Sequence, residues 1–291
     1  MKNPLNRLNN KIYNPTPLPY NRHERKQKPK KAATAMTVCI AALCNQKSIG
    51  ICLSDMMVTD SLMSSRMVKM YNVKRADITI MIAGDIGTQM EIFQNIDREV
   101  SFQETGNPEK AWRVREIADI YAKYLKEEIL NAQEDNLPNI AAIIIGFDSE
   151  GIGENYYADS IGHIYTIFNN NSNIIIENKD STGYAFIGIG ETVAKMQVLS
   201  ILKHLAATEF SNTLLAIYLA KKRTEALDRV IGEDTHFHII GPGLKPHMKK
   251  LNTPQKLKDI YDKILEKERE ILNDASLEFQ QFIGDDMDKI Q

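Results

Sequence analysis

Three residues of this chain, Thr37, Asp55 and Lys69, have types and an order that could do chemistry together. Thr37 stands directly behind a methionine and opens an apolar run, Met36-Thr37-Val38-Cys39-Ile40-Ala41-Ala42-Leu43. Were Thr37 the first residue, its hydroxyl and its free α-amine would sit on the same residue, giving a nucleophile with a base of its own. Asp55 ends the next apolar run, and Lys69 lies beyond it. Taken singly, each has an ordinary structural role: threonine suits strands, an aspartate at a strand end suits a turn, and a lone lysine suits solvent. Only the combination points to a site.

Such residues need elements to hold them. Residues 37–43 and 48–53 predict two short apolar strands joined by the polar turn Cys44-Asn45-Gln46-Lys47. Residues 78–83 predict a third strand, ended by Gly84-Asp85. Met90, Phe93, Ile96 and Val100 share one stripe, which predicts a helix over 88–100. Asn107 as N-cap and Pro108 at the first helical position predict a second, over 108–131. Strands are expected at 140–147, 155–159, 161–168 and 185–188, with Ser149-Glu150-Gly151 as a turn and Asn169-Asn170-Asn171 as a loop. Helices at 192–205 and 213–228, a closing strand at 235–240 ended by Gly241-Pro242-Gly243, and a charged helix at 253–275 complete the pattern. Strands and helices come in blocks rather than strict alternation, which predicts packed antiparallel sheets flanked by helical layers.

Bulk properties narrow the class. A 291-residue chain with 43% hydrophobic and 25% charged residues is ordinary for a globular protein. Its net charge of −2 conceals an asymmetry, because residues 1–36 hold nine Lys or Arg against the single acid Glu24. The remainder is mildly acidic and carries no footprint for nucleic acid. No apolar run reaches the roughly 18–20 residues that a bilayer requires, and no signal-peptide core is visible, so no membrane partner is expected. Three cysteines, Cys39, Cys44 and Cys52, fall in the first hairpin. That odd, sparse count predicts free thiols in a reducing, cytoplasmic setting, with apolar packing as their role. Residues 1–36 read as a disordered basic extension, favoured over a propeptide or targeting arm; 37–245 form the main domain and 246–291 a charged helical appendage.

The opening Thr37-Val38-Cys39-Ile40-Ala41-Ala42 strand, Ser54-Asp55, Val68-Lys69 and the step Ile82-Ala83-Gly84-Asp85 together resemble proteasome β subunits and their bacterial relatives, which are N-terminal-nucleophile hydrolases. The resemblance covers roughly residues 37–241. It implies an α+β fold, a four-layer αββα sandwich of two antiparallel sheets flanked by helices. It also implies a threonine-type peptidase needing no cofactor or metal, acting on peptide or unfolded protein, in a homo-oligomeric ring with an ATPase unfoldase as a further partner. Thr37 would attack a peptide carbonyl and its α-amine would take the proton. Lys69 would supply positive charge beside the nucleophile, Asp55 would hold Lys69, and the Gly84 N–H would stabilise the oxyanion. Thr37 would be freed by self-cleavage after Met36, or by translation from Met36 with methionine removal.

Two positions depart from that family. Its proteolytic members carry Gly-Ser-Gly before the third helix, where this chain has Gly188-Ile189-Gly190. They carry an aspartate and, three residues on, a serine before a glycine after the fourth helix. Here Asp228 and Gly232 remain but Ile231 replaces the serine, with Asp234-Thr235 as an alternative. Two other functions therefore stay open: a catalytically inactive scaffold or assembly subunit, and an amidohydrolase acting on a small amide. His236 and His238 alternate on one strand face as a possible metal pair, but lack a third ligand. Met56, Met57, Met63, Met67 and Met70 could line an apolar specificity pocket, although core packing is their ordinary role.

Overall fold

A computed structural model describes residues 37–59, 64–73, 76–107, 110–132, 139–150, 157–170, 173–205, 209–227, 231–232, 234–242 and 253–288. Side chains of 57–66, 149–150, 157–160, 253–254 and 281–288 are outside that description. All described residues lie in the unit Ala32–Gln291.

Alternation along the strands generates the layers. In β1 (Cys39–Cys44), Ile40, Ala42 and Cys44 point to one apolar cluster and Cys39, Ala41 and Leu43 to another. In β6 (Ile78–Gly84), Ile78, Ile80 and Ile82 serve one cluster and Met81 and Ala83 a different one. Successive side chains of a strand face opposite ways, so a strand buried on both faces reads as an unbroken apolar run. That explains why Cys39–Cys44 and Ile78–Gly84 show no polar face.

One sheet has the order β10-β1-β2-β11, with β2 (Ile49–Asp55), β10 (Tyr184–Ile187) and β11 (Thr235–Ile240) all antiparallel to their neighbours. The other has the order β5-β6-β7-β8-β9, formed with β5 (Met70–Asn72), β7 (Ile140–Glu150), β8 (Tyr157–Asn170) and β9 (Asn173–Asn178). A short ribbon pairs β3 (Met57–Thr59) with β4 (Ser64–Arg66). The sheets meet through a core of Cys39, Cys52, Met81, Ile143, Ile145 and Phe147 among others. Helices α1 (Ile86–Gly106) and α2 (Val114–Asn131) cover the second sheet, with Phe93, Ile117 and Tyr121 in their shared core. Helices α3 (Glu191–Leu202) and α4 (Phe210–Leu227) cover the first through Ala194, Val198, Ile217 and Tyr218. Three separate interlayer cores define a four-layer αββα sandwich, the α+β architecture expected. α5 (Thr253–Asp288) adds Leu257 to the α3–α4 side.

Several boundaries differ from expectation for physical reasons. Helix α2 starts at Val114, not Pro108, because Arg113 N–H donates to Glu116 Oε2 at 3.1 Å and Val114 N–H to Asp148 Oδ1 at 2.8 Å. Asn107 instead ends α1, its N–H donating to Gln103 O at 2.8 Å. The two strands expected within 155–168 are the single strand β8. Gly162 marks a close approach rather than a break, its N–H donating to Lys47 O at 2.7 Å. The sequence reading missed β3, β4, β5 and β9, three of which have only three residues. α5 runs thirteen residues beyond its expected end at 275. Cys39, Cys44 and Cys52 are all buried free thiols. Burial pushes all three up, Cys44 to about 12, and at Cys39 the nearby Asp55 carboxylate adds to the effect. No described helix is long and apolar enough to cross a membrane.

Candidate active site

The ends of the two sheets bring Thr37, Asp55 and Lys69 together. Cys39 pairs with Ser54, so Val38 falls opposite Asp55, the last residue of β2. Asp55 N–H donates to Val38 O at 3.3 Å, while Val38 N–H donates to Asp55 Oδ1 at 3.1 Å. The carboxylate thus grips the backbone next to Thr37. Lys69 stands just before β5 in the opposite sheet, and its carbonyl accepts Ile82 N–H at 3.0 Å. From there Lys69 Nζ donates to Thr37 Oγ1 at 2.6 Å and to Asp55 Oδ1 and Oδ2 at 3.0 and 2.8 Å.

All three side chains are buried, Lys69 at 1% exposure and Asp55 at 0%. A charge pair so removed from water keeps its strength only while both partners stay, and removing one commonly costs about 3–5 kcal/mol. An ammonium donating to Thr37 Oγ1 leaves the hydroxyl proton free to depart and favours the alkoxide that remains.

Two glycines shape the backbone around this cluster. Gly84 has φ 102° and lies so near Asn139 that a Cβ would stand 1.8 Å from Asn139 O. Gly188 has φ 99°, and a Cβ there would stand 2.0 Å from Thr37 O. Only glycine combines that conformation with that approach. Gly188 follows β10, whose Ile187 pairs with Cys39, so this strand end runs along Thr37. In sequence, the Gly188-Ile189-Gly190 step shows only a missing serine, because the contact of Gly188 with Thr37 O depends on the pairing of β10 with β1.

The two isoleucines occupy different surroundings. Ile189 is 52% exposed in the turn before α3. Ile231 is 2% exposed and belongs to the α3–α4 core, close enough to Gly190 that a Cβ there would lie 2.9 Å from Ile231 Cδ1. Neither side chain can donate a hydrogen bond to Thr37. Asp228 lies outside the described residues.

Lys221 is a further buried charge that the sequence reading missed. On α4, it donates to the Glu225 carboxylate, to Thr235 Oγ1 at 2.8 Å, to Gly232 O at 3.1 Å and to Asp234 O at 3.2 Å. Thr235 is the β11 residue paired with Asp55, so this cation braces the strand beside the site. Burial pushes the Lys221 ammonium down against the pull of Glu225, and burial holds the Glu225 carboxyl above its usual range. The spacing Lys221–Glu225 was visible, but an i,i+4 pair ordinarily marks a solvated helix face.

His236 pairs with Ser54 across β2–β11, and burial lowers its pKa. Among the described residues no group of three His, Cys, Asp or Glu side chains converges as metal ligands. A groove of about 1010 Å³ runs along β10 and α3, lined by Phe168, Phe186, Leu199 and others, but none of Thr37, Asp55 or Lys69 faces it.

No protein-family model matches the chain, and no curated protein matches it. Solved structures do. Anbu (ancestral beta-subunit) from Yersinia bercovieri aligns over 81% of this chain and 96% of its own, with a TM-score of 0.58 at 14% identity. An Anbu (Gly-1) mutant from Hyphomicrobium sp. strain MC1 aligns over 80% and 97%, with a TM-score of 0.55 at 12% identity. At such identity the likeness establishes the fold alone, the four-layer αββα sandwich of two antiparallel sheets described above.

Proposed function

We propose that this chain is a threonine-type peptidase whose nucleophile is Thr37 once that residue is the first of the chain. The observation that carries the reading is Lys69 Nζ, which joins Thr37 Oγ1 at 2.6 Å to Asp55 Oδ2 at 2.8 Å in a buried cluster. With residue 36 attached, the Thr37 nitrogen is an amide and no base, so the longer chain is inactive.

The free α-amine takes the hydroxyl proton as Thr37 Oγ1 bonds to the peptide carbonyl carbon. Lys69 stabilises the forming alkoxide and Asp55 holds Lys69 in place. The Gly84 N–H stabilises the oxyanion, an interaction that can be worth about 3–4 kcal/mol in the transition state. Collapse breaks the C–N bond, the leaving amine takes the proton from the α-ammonium, and an ester remains on Thr37. Water then attacks the ester carbonyl, gives its proton to the α-amine, and releases the acid as Thr37 Oγ1 regains a proton. The residues' resemblance to proteasome β subunits supports a homo-oligomer that encloses these sites, with peptide or unfolded protein as substrate.

A second reading, an inactive scaffold of the same fold, is favoured by one observation: Ile189 and Ile231 offer no hydroxyl. Intact mass and N-terminal sequencing of protein from native extract distinguish the two. Thr37 as first residue, followed by a covalent peptide-epoxyketone adduct that consumes both its hydroxyl and amine, supports the peptidase. A retained Met1 or Met36, or a free Thr37 that takes no adduct, rejects it in favour of the scaffold.

A further inference from the structure

Ala83 and Gly84 share one planar peptide unit, so whatever fixes the Ala83 carbonyl aims the Gly84 N–H the opposite way. Along β6 the backbone groups alternate in direction. Just past its end, Asp85 N–H reaches Asn139 O, on the β7 side, at 3.2 Å, and Ile82 N–H reaches Lys69 O, on the β5 side, at 3.0 Å. Alternation therefore turns the Gly84 N–H to the side of Lys69, one step beyond the Ile82–Lys69 bond. Gly84 itself cannot hold that orientation by steric preference, because glycine is the residue with the widest backbone freedom.

A second restraint comes from α1. Gln89 is fully buried, and its Nε2 donates to Ala83 O at 3.2 Å. A carbonyl only accepts, so this contact fixes which end of the amide faces Ala83. The other end, Oε1, accepts a short hydrogen bond from the Tyr121 hydroxyl of α2, which is also fully buried. Buried polar groups are retained at a desolvation cost unless each finds a partner, and here both do. The chain Tyr121 to Gln89 to Ala83 runs through the apolar core between α1, α2 and the second sheet.

We infer that Gln89, oriented by Tyr121, is a positioning residue that locks the Ala83–Gly84 peptide so that its N–H serves the oxyanion of the reaction. The inference rests on the peptidase reading for its function, although the peptide lock can be measured without it. Removing the lock misaligns a donor that acts in the transition state and leaves substrate binding intact.

The test uses the full chain, purified as the cell processes it, in three forms: wild type, Gln89→Leu and Tyr121→Phe. Peptide hydrolysis is measured together with the Gly84 amide signal in 15N-glycine-labelled protein, and thermal unfolding verifies that each variant folds. Both variants are expected to lose about 10- to 100-fold in kcat, part of the 10²–10³ that a lost oxyanion donor costs, with KM within about two-fold. The Gly84 amide resonance should shift in both. If Gln89→Leu does not fold, Tyr121→Phe decides. Unchanged kcat in a folded variant, or a loss confined to KM, overturns the inference. Should wild type with a free Thr37 neither hydrolyse peptides nor take an epoxyketone, the peptidase reading falls separately. The Gly84 amide then decides the lock: an unmoved signal overturns it, and a moved one upholds it.

Discussion

At the scale of single residues, Lys69 is where stability and the proposed catalysis coincide. Lys69→Ala should reduce peptide hydrolysis by at least about 10²-fold, since the alkoxide loses its counter-charge. The same change strands the Asp55 carboxylate in the core, at about 3–5 kcal/mol. A Lys69→Ala/Asp55→Ala double variant should unfold at a higher urea concentration than Lys69→Ala alone, while remaining inactive. Wild-type turnover in Lys69→Ala would remove this residue from the mechanism. Gly188→Ala makes a different prediction, because its Cβ would meet Thr37 O and its φ of 99° strains any other residue. Local strain of this kind costs about 1–3 kcal/mol, and epoxyketone labelling of Thr37 should fall with it. Thr37 and Asp55 were legible in sequence because one opens and the other ends a strongly patterned strand, and Lys69 through the resemblance of Val68-Lys69 to proteasome β subunits. Gln89 and Lys221 were not, because a glutamine or lysine within a helix reads as solvated. Only the fold, bringing Tyr121 from another helix and the carbonyls of Gly232 and Asp234 from a following loop, shows them buried.

Elements show the same division between local pattern and distant partner. The strands flanking Thr37 were readable from apolar runs, whereas β5 is a three-residue piece that exists because β6 is there to pair with it. The start of α2 was misplaced because Asp148, thirty-four residues away, supplies the acceptor for Val114. Lys221 offers a test of how α4 is joined to β11. Lys221→Met alone leaves the Gly232 and Asp234 carbonyls without this donor and Glu225 reliant on Lys222 Nζ, 2.7 Å from its Oε2, and should destabilise by about 1–3 kcal/mol in urea unfolding. Lys221→Met/Glu225→Leu should recover a good part of that loss, since the pair is replaced rather than broken. The turn between β9 and β10 should respond to acid. Asp180 accepts from Ile164 N–H and bonds His163 Nδ1, each at 2.7 Å, and from Asn178 at 3.0 Å. Burial opposes its ionisation, but these hydrogen bonds outweigh it and hold the carboxyl below 3.8. A depressed carboxyl adds stability above its unfolded pKa and loses it as pH falls through the folded value. Asp180→Asn should therefore be less stable than wild type at pH 7 and show a shallower loss of urea midpoint below about pH 4.

For the molecule as a whole, block order in the sequence was enough to foresee two sheets between helical layers, because each block buries both faces of its strands. The reach of α5 was not, since a charged helix carries no mark of where it stops packing. Leu257 is buried, Tyr261 meets Tyr218 edge-on at 6.5 Å, and Arg223 pairs with Glu268. Beyond these, Ile271, Leu272, Leu277 and Phe279 are exposed. Deletion of α5 from residue 253 should lower the thermal midpoint by several degrees as the α4 face opens, on the scale of about 2–4 °C per kcal/mol. Finally, the three buried thiols of the first hairpin give the molecule a chemical clock. Only a thiolate attacks an alkylating reagent, and burial suppresses ionisation at every one of these positions. The folded protein should resist iodoacetamide, so each label counts an opening event. Cys39, two residues from Thr37, would time the unlatching of the site, and Cys44 at the far end of the same strand would time the rest of the sheet.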